Sequence, residues 1–155
     1  MSIAILNFGS GNLNSVYNII DYLGYDCKIT SDKSYINAST HIILPGVGSY
    51  SGVMKKIEEN DIDLLNEQVH IKKKPFLGIC IGMQILSTVG DEFGKQKGLN
   101  WIEGNVTKIE SDILPHVGWN NILIKKNSNL TKNLDDESSF YFVNSFHFKP
   151  KNTDY

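Results

Sequence analysis

Apolar positions fall into short blocks along the first half of the chain. Residues 2–6 form a continuous apolar run that stops at the turn Gly9-Ser10-Gly11, the pattern of a buried strand feeding a loop. Leu13, Val16, Tyr17, Ile20 and Leu23 then recur at helical spacing, and Gly24 supplies a C-terminal stop. Residues 27–30 and 41–44 read as the next two strands, the second broken by Pro45-Gly46. The pattern predicts helices near 50–59 and 61–72, a strand over 75–79 and a helix over 81–89.

Alternation of this kind argues for an α/β fold, an open, mostly parallel sheet with helices on both faces. After Gly98 the character changes. Residues 105–110, 121–125 and 140–148 look like strands with few helical signals between them, so an antiparallel extension is expected toward the C-terminus. No internal repeat or linker is visible, and residues 1–155 read as one domain. The chain stops just after a strand, where a compact α/β domain would close with a further strand and helix, so the domain is expected to lack its C-terminal segment and to leave a sheet edge open.

Composition narrows the function classes. Apolar residues make up 41% and charged residues 21%, ordinary for a globular protein, and the net charge is -2. That balance gives no electrostatic case for nucleic acid or an anionic membrane. The N-terminus lacks a basic stretch before a long apolar core, and no apolar run suits a bilayer span. Two cysteines, Cys27 and Cys80, make no disulfide framework, so a reducing cytoplasm is the simplest setting. No metal site or cofactor is expected. The stretch at 8–12 would need Gly at position 14 to make a GxGxxG dinucleotide fingerprint, and Asn14 stands there.

Chemistry concentrates at Cys80. A cysteine on an apolar strand often serves as a small hydrophobe. Here, however, Gly78 and Gly82 flank it where a strand ends and a helix begins, which permits a tight, strained elbow that lifts the side chain out of the sheet. A helix start favours thiolate, and the Ile81 amide is placed to face a developing oxyanion. A second loop, "LPGVGSY" at 44–50, also follows a strand, where ligands collect in open α/β sheets. Its plain alternative is an ordinary tight turn.

Taken together, GICIGMQ, "NFGSGNLNSV" at 7–16, "LPGVGSY" and "LPHVGWN" at 114–120 resemble the class I (triad) glutamine amidotransferases. Within that flavodoxin-like class they look like the glutaminase subunits of imidazole glycerol phosphate synthases. "GLNWIEGNV" and "FYFVNSF" agree in place, and the resemblance runs from Met1 to about Phe148. It implies hydrolysis of glutamine to glutamate and ammonia, with ammonia passed to a HisF-like (β/α)8 cyclase as heterodimer partner in histidine biosynthesis. By that resemblance Cys80 is the nucleophile that forms a glutamyl thioester. Gly46, Val47, Gly48 and Ile81 form the oxyanion hole, and Gln84, Asn144, Ser145 and Phe146 hold substrate. Asn12 and Trp119 face the partner, with a plain core aromatic the alternative for Trp119.

One departure matters. The family takes its base from a late His-x-Glu motif, and none of His41, His70, His116 and His147 is followed two residues on by Glu. His147, on the substrate-loop strand, is read as structural. The expectation is a C-terminally truncated chain whose turnover is poor without an imidazole to move protons. The family commonly carries His where Asn144 stands. Other readings stay open at this point: a catalytically dead docking subunit, an ammonia supplier for amidino sugars in surface polysaccharide synthesis, or a DJ-1-like protein with a cysteine elbow.

Overall fold

The structure is a computed structural model that describes residues 1–9, 11–60 (Asn60 through its backbone alone) and 62–153. In chain order it comprises β1 (Ser2–Leu6), α1 (Leu13–Tyr22), β2 (Asp26–Thr30), α2 (Lys33–Ala38), β3 (His41–Leu44), α3 (Tyr50–Asn60) and α4 (Ile62–Asn66), which runs into a π-helical turn at Glu67–Ile71. Then follow β4 (Phe76–Gly78), α5 (Ile81–Gln84), β5 (Val89–Gly90), β6 (Gln96–Lys97), β7 (Gly104–Lys108), β8 (His116–Asn121), β9 (Ser139–Asn144) and β10 (Phe146–Pro150).

β1 is almost wholly buried, as a central parallel strand must be. It pairs in parallel with β2 on one side and β3 on the other, and the first sheet runs β2-β1-β3-β4. The two-residue period of the strands splits the core. Ala4, Leu6, Ile42 and Leu44 pack on one face with Met54, Ile57, Leu64 and Leu65 of α3 and α4. Ile3, Ile5 and Ile43 face the other way, against Leu13, Val16, Tyr17 and Ile20 of α1. The helix spacing seen in the sequence is therefore the face that α1 lays on the sheet. Past its end Gly24 takes a left-handed φ of 79°, and the Gly24 and Tyr25 amides close the helix on Asp21 and Ile20.

The C-terminal half supplies the antiparallel extension. A second sheet runs β10-β7-β5-β6, with β10 antiparallel to β7 and β5 parallel to it. β8 and β9 form a separate antiparallel ribbon.

Several sequence expectations need correction. The strand expected at 121–125 lies instead at β8, His116–Asn121. Gly118 and the two asparagines obscured it, yet Gly118 at φ 154° sits within the ladder opposite Phe142. The strand expected over 140–148 is two strands, because the chain changes partner at Ser145, from β8 to β7. The helix expected over 81–89 ends at Gln84. The carbonyls of Ile85, Leu86 and Ser87 are taken by the amides of Leu99, Trp101 and Asn100, and the chain goes on as β5. In the helix expected at 61–72, Asp61 lies outside the described residues and the second half is π-helical, with the Lys72 amide on the Glu67 carbonyl. Helix α2 is an addition to the expected elements, although Asp32 caps it through the Ser34 amide at 2.8 Å. Ser10, of the turn at Gly9–Gly11, and the last residues, Asp154 and Tyr155, also lie outside the described residues.

The core assignment is testable by urea unfolding. Ile57 is fully buried whereas Leu123 is 62% exposed. Ile57→Ala is expected to cost about 2–5 kcal/mol and Leu123→Ala under about 0.5 kcal/mol. Equal costs would contradict the placement of the core.

Candidate active site

Cys80 sits between β4 and α5 with φ 56° and ψ -114°, a conformation L-residues rarely adopt. The two flanking glycines explain how the chain holds it. A Cβ on Gly82 would run into the carbonyl oxygen of Leu44, the last residue of β3. A Cβ on Gly78 would run into the Gly82 carbonyl oxygen and lie 2.7 Å from the Met83 nitrogen. The Ile79 amide donates to the same Leu44 carbonyl at 3.0 Å, so the elbow is drawn tight onto the end of β3. Cys80 is exposed, which removes the reading of a small core hydrophobe. Cys27 differs: it is half-buried, its Sγ points at the Tyr17 carbonyl, and burial with Asp21 and Asp26 nearby raises its thiol pKa. α5 is a single turn of four residues, so help from a helix dipole is confined to that turn. The Ile81 amide opens the helix and has no intrahelical acceptor.

The elbow opens into a cavity of about 340 Å³. Gly48 borders it on one side and Ile81 and Gln84 on another. Asn144, Ser145 and Phe146 close it from the β9–β10 junction. The junction is wired to the elbow helix: Gln84 Nε2 donates to the Phe146 carbonyl at 3.1 Å, and Asn144 Nδ2 donates to the same oxygen at 3.0 Å. Asn144 Oδ1 is buried and, among the described residues, has no partner.

Four lining residues lie beyond those expected from the sequence: Glu92, Phe93, Pro115 and Val143. Glu92 is the chemical addition. The helix expected up to 89 hides it, whereas the early end of α5 swings the loop after β5 over the cavity. Its Oε2 accepts from the Tyr50 amide at 2.7 Å. The remaining signal in sequence is a lone acidic residue in a polar loop, too common to single out.

The loop at 44–50 divides its residues. Gly46 is buried, Gly48 reaches the cavity, and Val47 is 56% exposed and faces a neighbouring hollow of about 220 Å³ with Phe8, Gly9 and Lys56. A Cβ on Gly11 would lie 2.9 Å from Val47 Cγ2, so the turn before Asn12 rests on this loop. Asn12 is exposed with φ 65°. Trp119 is 70% exposed and meets Tyr141 edge-on at 5.5 Å on the β8–β9 ribbon, far from a core position. Val117 and Val143 share that face, each more than half exposed. No histidine lines the Cys80 cavity among the described residues. His41 is bonded to Thr40, His70 meets Trp101 edge-on, and His116 is bonded to Asn120. His147 Nε2 is buried and without a partner among the described residues.

Comparison with known proteins gives this geometry a family. The model of the family described as glutamine amidotransferase class-I matches residues 4–154. The chain belongs to the class-I glutamine amidotransferases. Imidazole glycerol phosphate synthase subunit HisH 2 of Vibrio vulnificus (strain YJ016) is 41% identical over 150 residues, covering 94% of this chain and 70% of that protein. Subunit HisH 1 of Campylobacter jejuni (strain RM1221) is 42% identical over 153 residues, covering 96% of this chain and 76% of that protein. Among solved structures, one titled as a glutamine amidotransferase superposes with a TM-score of 0.64 at 18% identity, over 77% of this chain and 62% of that one. A putative GMP synthase component from Thermoplasma acidophilum gives 0.67 at 17% identity, over 96% and 66%. These two likenesses carry the fold.

For this amidotransferase elbow, two substitutions should move stability in opposite directions. Gly82→Ala forces a methyl group onto backbone and is expected to lower stability by about 3 kcal/mol or more. Cys80→Gly relieves the left-handed φ and is expected to raise it by about 1 kcal/mol. Thermal melts read both, and a Cys80→Gly chain less stable than wild type would show that no strain is stored there.

Proposed function

We propose that the chain is the glutaminase subunit of an imidazole glycerol phosphate synthase, releasing ammonia from glutamine for a HisF-like (β/α)8 cyclase in histidine biosynthesis. The observation that carries this reading is Cys80, exposed in a strained elbow at the mouth of a cavity sized for a small ligand. The Vibrio and Campylobacter relatives are named as HisH subunits of imidazole glycerol phosphate synthase.

In this reading the Cys80 thiolate attacks the side-chain carboxamide carbon of glutamine, and a C–S bond forms. The carbonyl oxygen becomes an oxyanion facing the Ile81 amide and the backbone of the 46–48 loop, with Gly48 nearest the cavity. Collapse breaks the C–N bond, and the nitrogen leaves as ammonia once it gains a proton. Water then hydrolyses the glutamyl thioester. Gln84 and the backbone at 144–146 frame the substrate.

Proton transfer is the demanding step. The four histidines lie away from the cavity lining, and the resemblance assigns the base to a His-x-Glu pair that these 155 residues do not contain. The two relatives extend beyond the matched stretch, which covers 70% and 76% of their lengths. Acylation without efficient turnover is therefore the expected behaviour of this stretch alone.

Docking is assigned to the turn at Asn12 and to the ribbon face of Trp119, Tyr141, Val117 and Val143, an apolar patch of the kind that marks protein contacts. No helix among the described residues is long and apolar enough to cross a membrane. A cytoplasmic setting goes with the two free cysteines.

Two experiments test the reading. Incubation with radiolabelled L-glutamine should leave a hydroxylamine-sensitive glutamyl label on the wild-type chain and none on Cys80→Ala. Persistent labelling of that variant would remove Cys80 as the nucleophile. Trp119→Ala is expected to weaken binding to a barrel cyclase by about 10-fold or more without slowing alkylation of Cys80. Unchanged affinity in a titration would place the interface elsewhere.

A further inference from the structure

We propose that Glu92 is a positioning residue for the reaction at Cys80: its carboxylate holds the first amide of α3 and so fixes where the 45–49 loop stands over the nucleophile. The role goes beyond the proposed function but rests on its reading of Cys80 as an acyl acceptor.

The loop is held at both ends. Its leading end is pinned at Leu44, whose carbonyl takes the Ile79 amide at 3.0 Å and seats Gly82. Its trailing end is Tyr50, which is completely buried. The Tyr50 amide is one of the helix-opening donors that α3 itself cannot satisfy, and Glu92 Oε2 accepts from it at 2.7 Å. The Tyr50 hydroxyl shares a 2.8 Å hydrogen bond with Ser87 Oγ. The ring lies against Gly90, where a Cβ would come within 2.6 Å of it, and a Cβ on Gly98 would run into the hydroxyl. Ser87, Gly90, Glu92 and Gly98 all belong to the stretch that follows α5 directly.

Both ends of the loop are therefore tied to the elbow element, one before Cys80 and one after it. Between them Gly48 takes φ 144° and faces the same cavity as Cys80 and Glu92. The tie at Leu44 is backbone and steric. The Tyr50 hydroxyl holds the side chain. The Glu92 carboxylate holds the backbone where the loop enters α3, and it does so from the cavity wall. Removing it leaves the other anchors in place, the Val53 amide on the Ser49 carbonyl among them, but loosens the Ser49–Tyr50 peptide on its amide side.

The test uses the 155-residue chain, Glu92→Ala and Glu92→Gln, with two probes of Cys80. p-Nitrophenyl acetate reads acyl transfer. The thiolate attacks the ester carbonyl, the C–S bond forms through an oxyanion, the acyl C–O bond breaks, and p-nitrophenolate leaves with the electron pair. Iodoacetamide reads the thiolate by displacement of iodide, with no oxyanion. Glu92→Ala is expected to slow acylation by about 10-fold or more while alkylation stays within about twofold. Glu92→Gln keeps an acceptor oxygen and should restore acylation to within about threefold. Exchange of the Tyr50 amide by NMR should speed up in Glu92→Ala and not in Glu92→Gln. Acylation at the wild-type rate in Glu92→Ala, a parallel fall in both probes, or no rescue by Gln would overturn the proposal. If Cys80→Ala keeps the full acylation burst, the nucleophile assignment fails instead, and Tyr50 exchange still decides whether Glu92 holds the loop.

Discussion

The contact between Gly82 and the carbonyl of Leu44 is the constraint on which the site depends. It brings the start of α5 against the end of β3 at a distance no side chain allows. Two consequences follow from one contact. The chain between β4 and α5 has to turn within Ile79 and Cys80, which drives Cys80 to positive φ and turns its thiol outward. And the loop that starts at Pro45 begins beside Cys80, because the residue before it is the seat of the elbow. A loop of small residues can then present backbone to the cavity with no side chain intervening. The parallel sheet makes this possible, since β3 and β4 are neighbours whose C-terminal ends point the same way.

The same architecture separates the two thiols. Cys27 lies on β2 in the α1 layer, among apolar neighbours and beside Asp21 and Asp26, all of which favour the neutral thiol. Cys80 is lifted clear of the sheet and accepts strain that folding alone would not select. Strain at one residue is tolerable because both faces of the sheet are packed: Leu44 is fully buried among α3 and α4 side chains, and Ile43 beneath α1. Across the cavity the antiparallel half is bonded to the elbow helix at the Phe146 carbonyl, which accepts from both Gln84 and Asn144. A residue on the elbow helix and one on the ribbon thus share one acceptor atom at the cavity wall.

Much of this was legible in the sequence where local pattern and tertiary role coincide. The buried run of β1, the helical stripe of α1 with its Gly24 stop, and the Gly-x-Cys-x-Gly elbow all survive in three dimensions because short-range geometry dictates them. Pattern failed where long-range partners decide. The chain after Gln84 has helical composition, yet the amides of 99–102 claim the carbonyls of 85–87, and pairing with β6 and β7 makes the next residues β5. β8 contains Gly118 and two asparagines and forms only because β9 lies alongside. Ser145 looks like one more strand residue, but there the chain changes sheets. Glu92 enters the site through the first of these failures, which is why an acidic residue in an unremarkable loop escapes notice in the sequence. Residues 144–146 and Gln84 follow from resemblance, and the structure gathers them around one cavity.

On the proposed function it is Cys80, exposed in the elbow, and not the half-buried Cys27, that meets glutamine. A chloromethyl-ketone analogue of L-glutamine with intact-mass and peptide mapping tests this most directly. One adduct per chain is predicted, on Cys80, slowed by excess L-glutamine and indifferent to L-alanine. Equal labelling of Cys27 and Cys80, or labelling of Cys80 that L-glutamine leaves untouched, would contradict it.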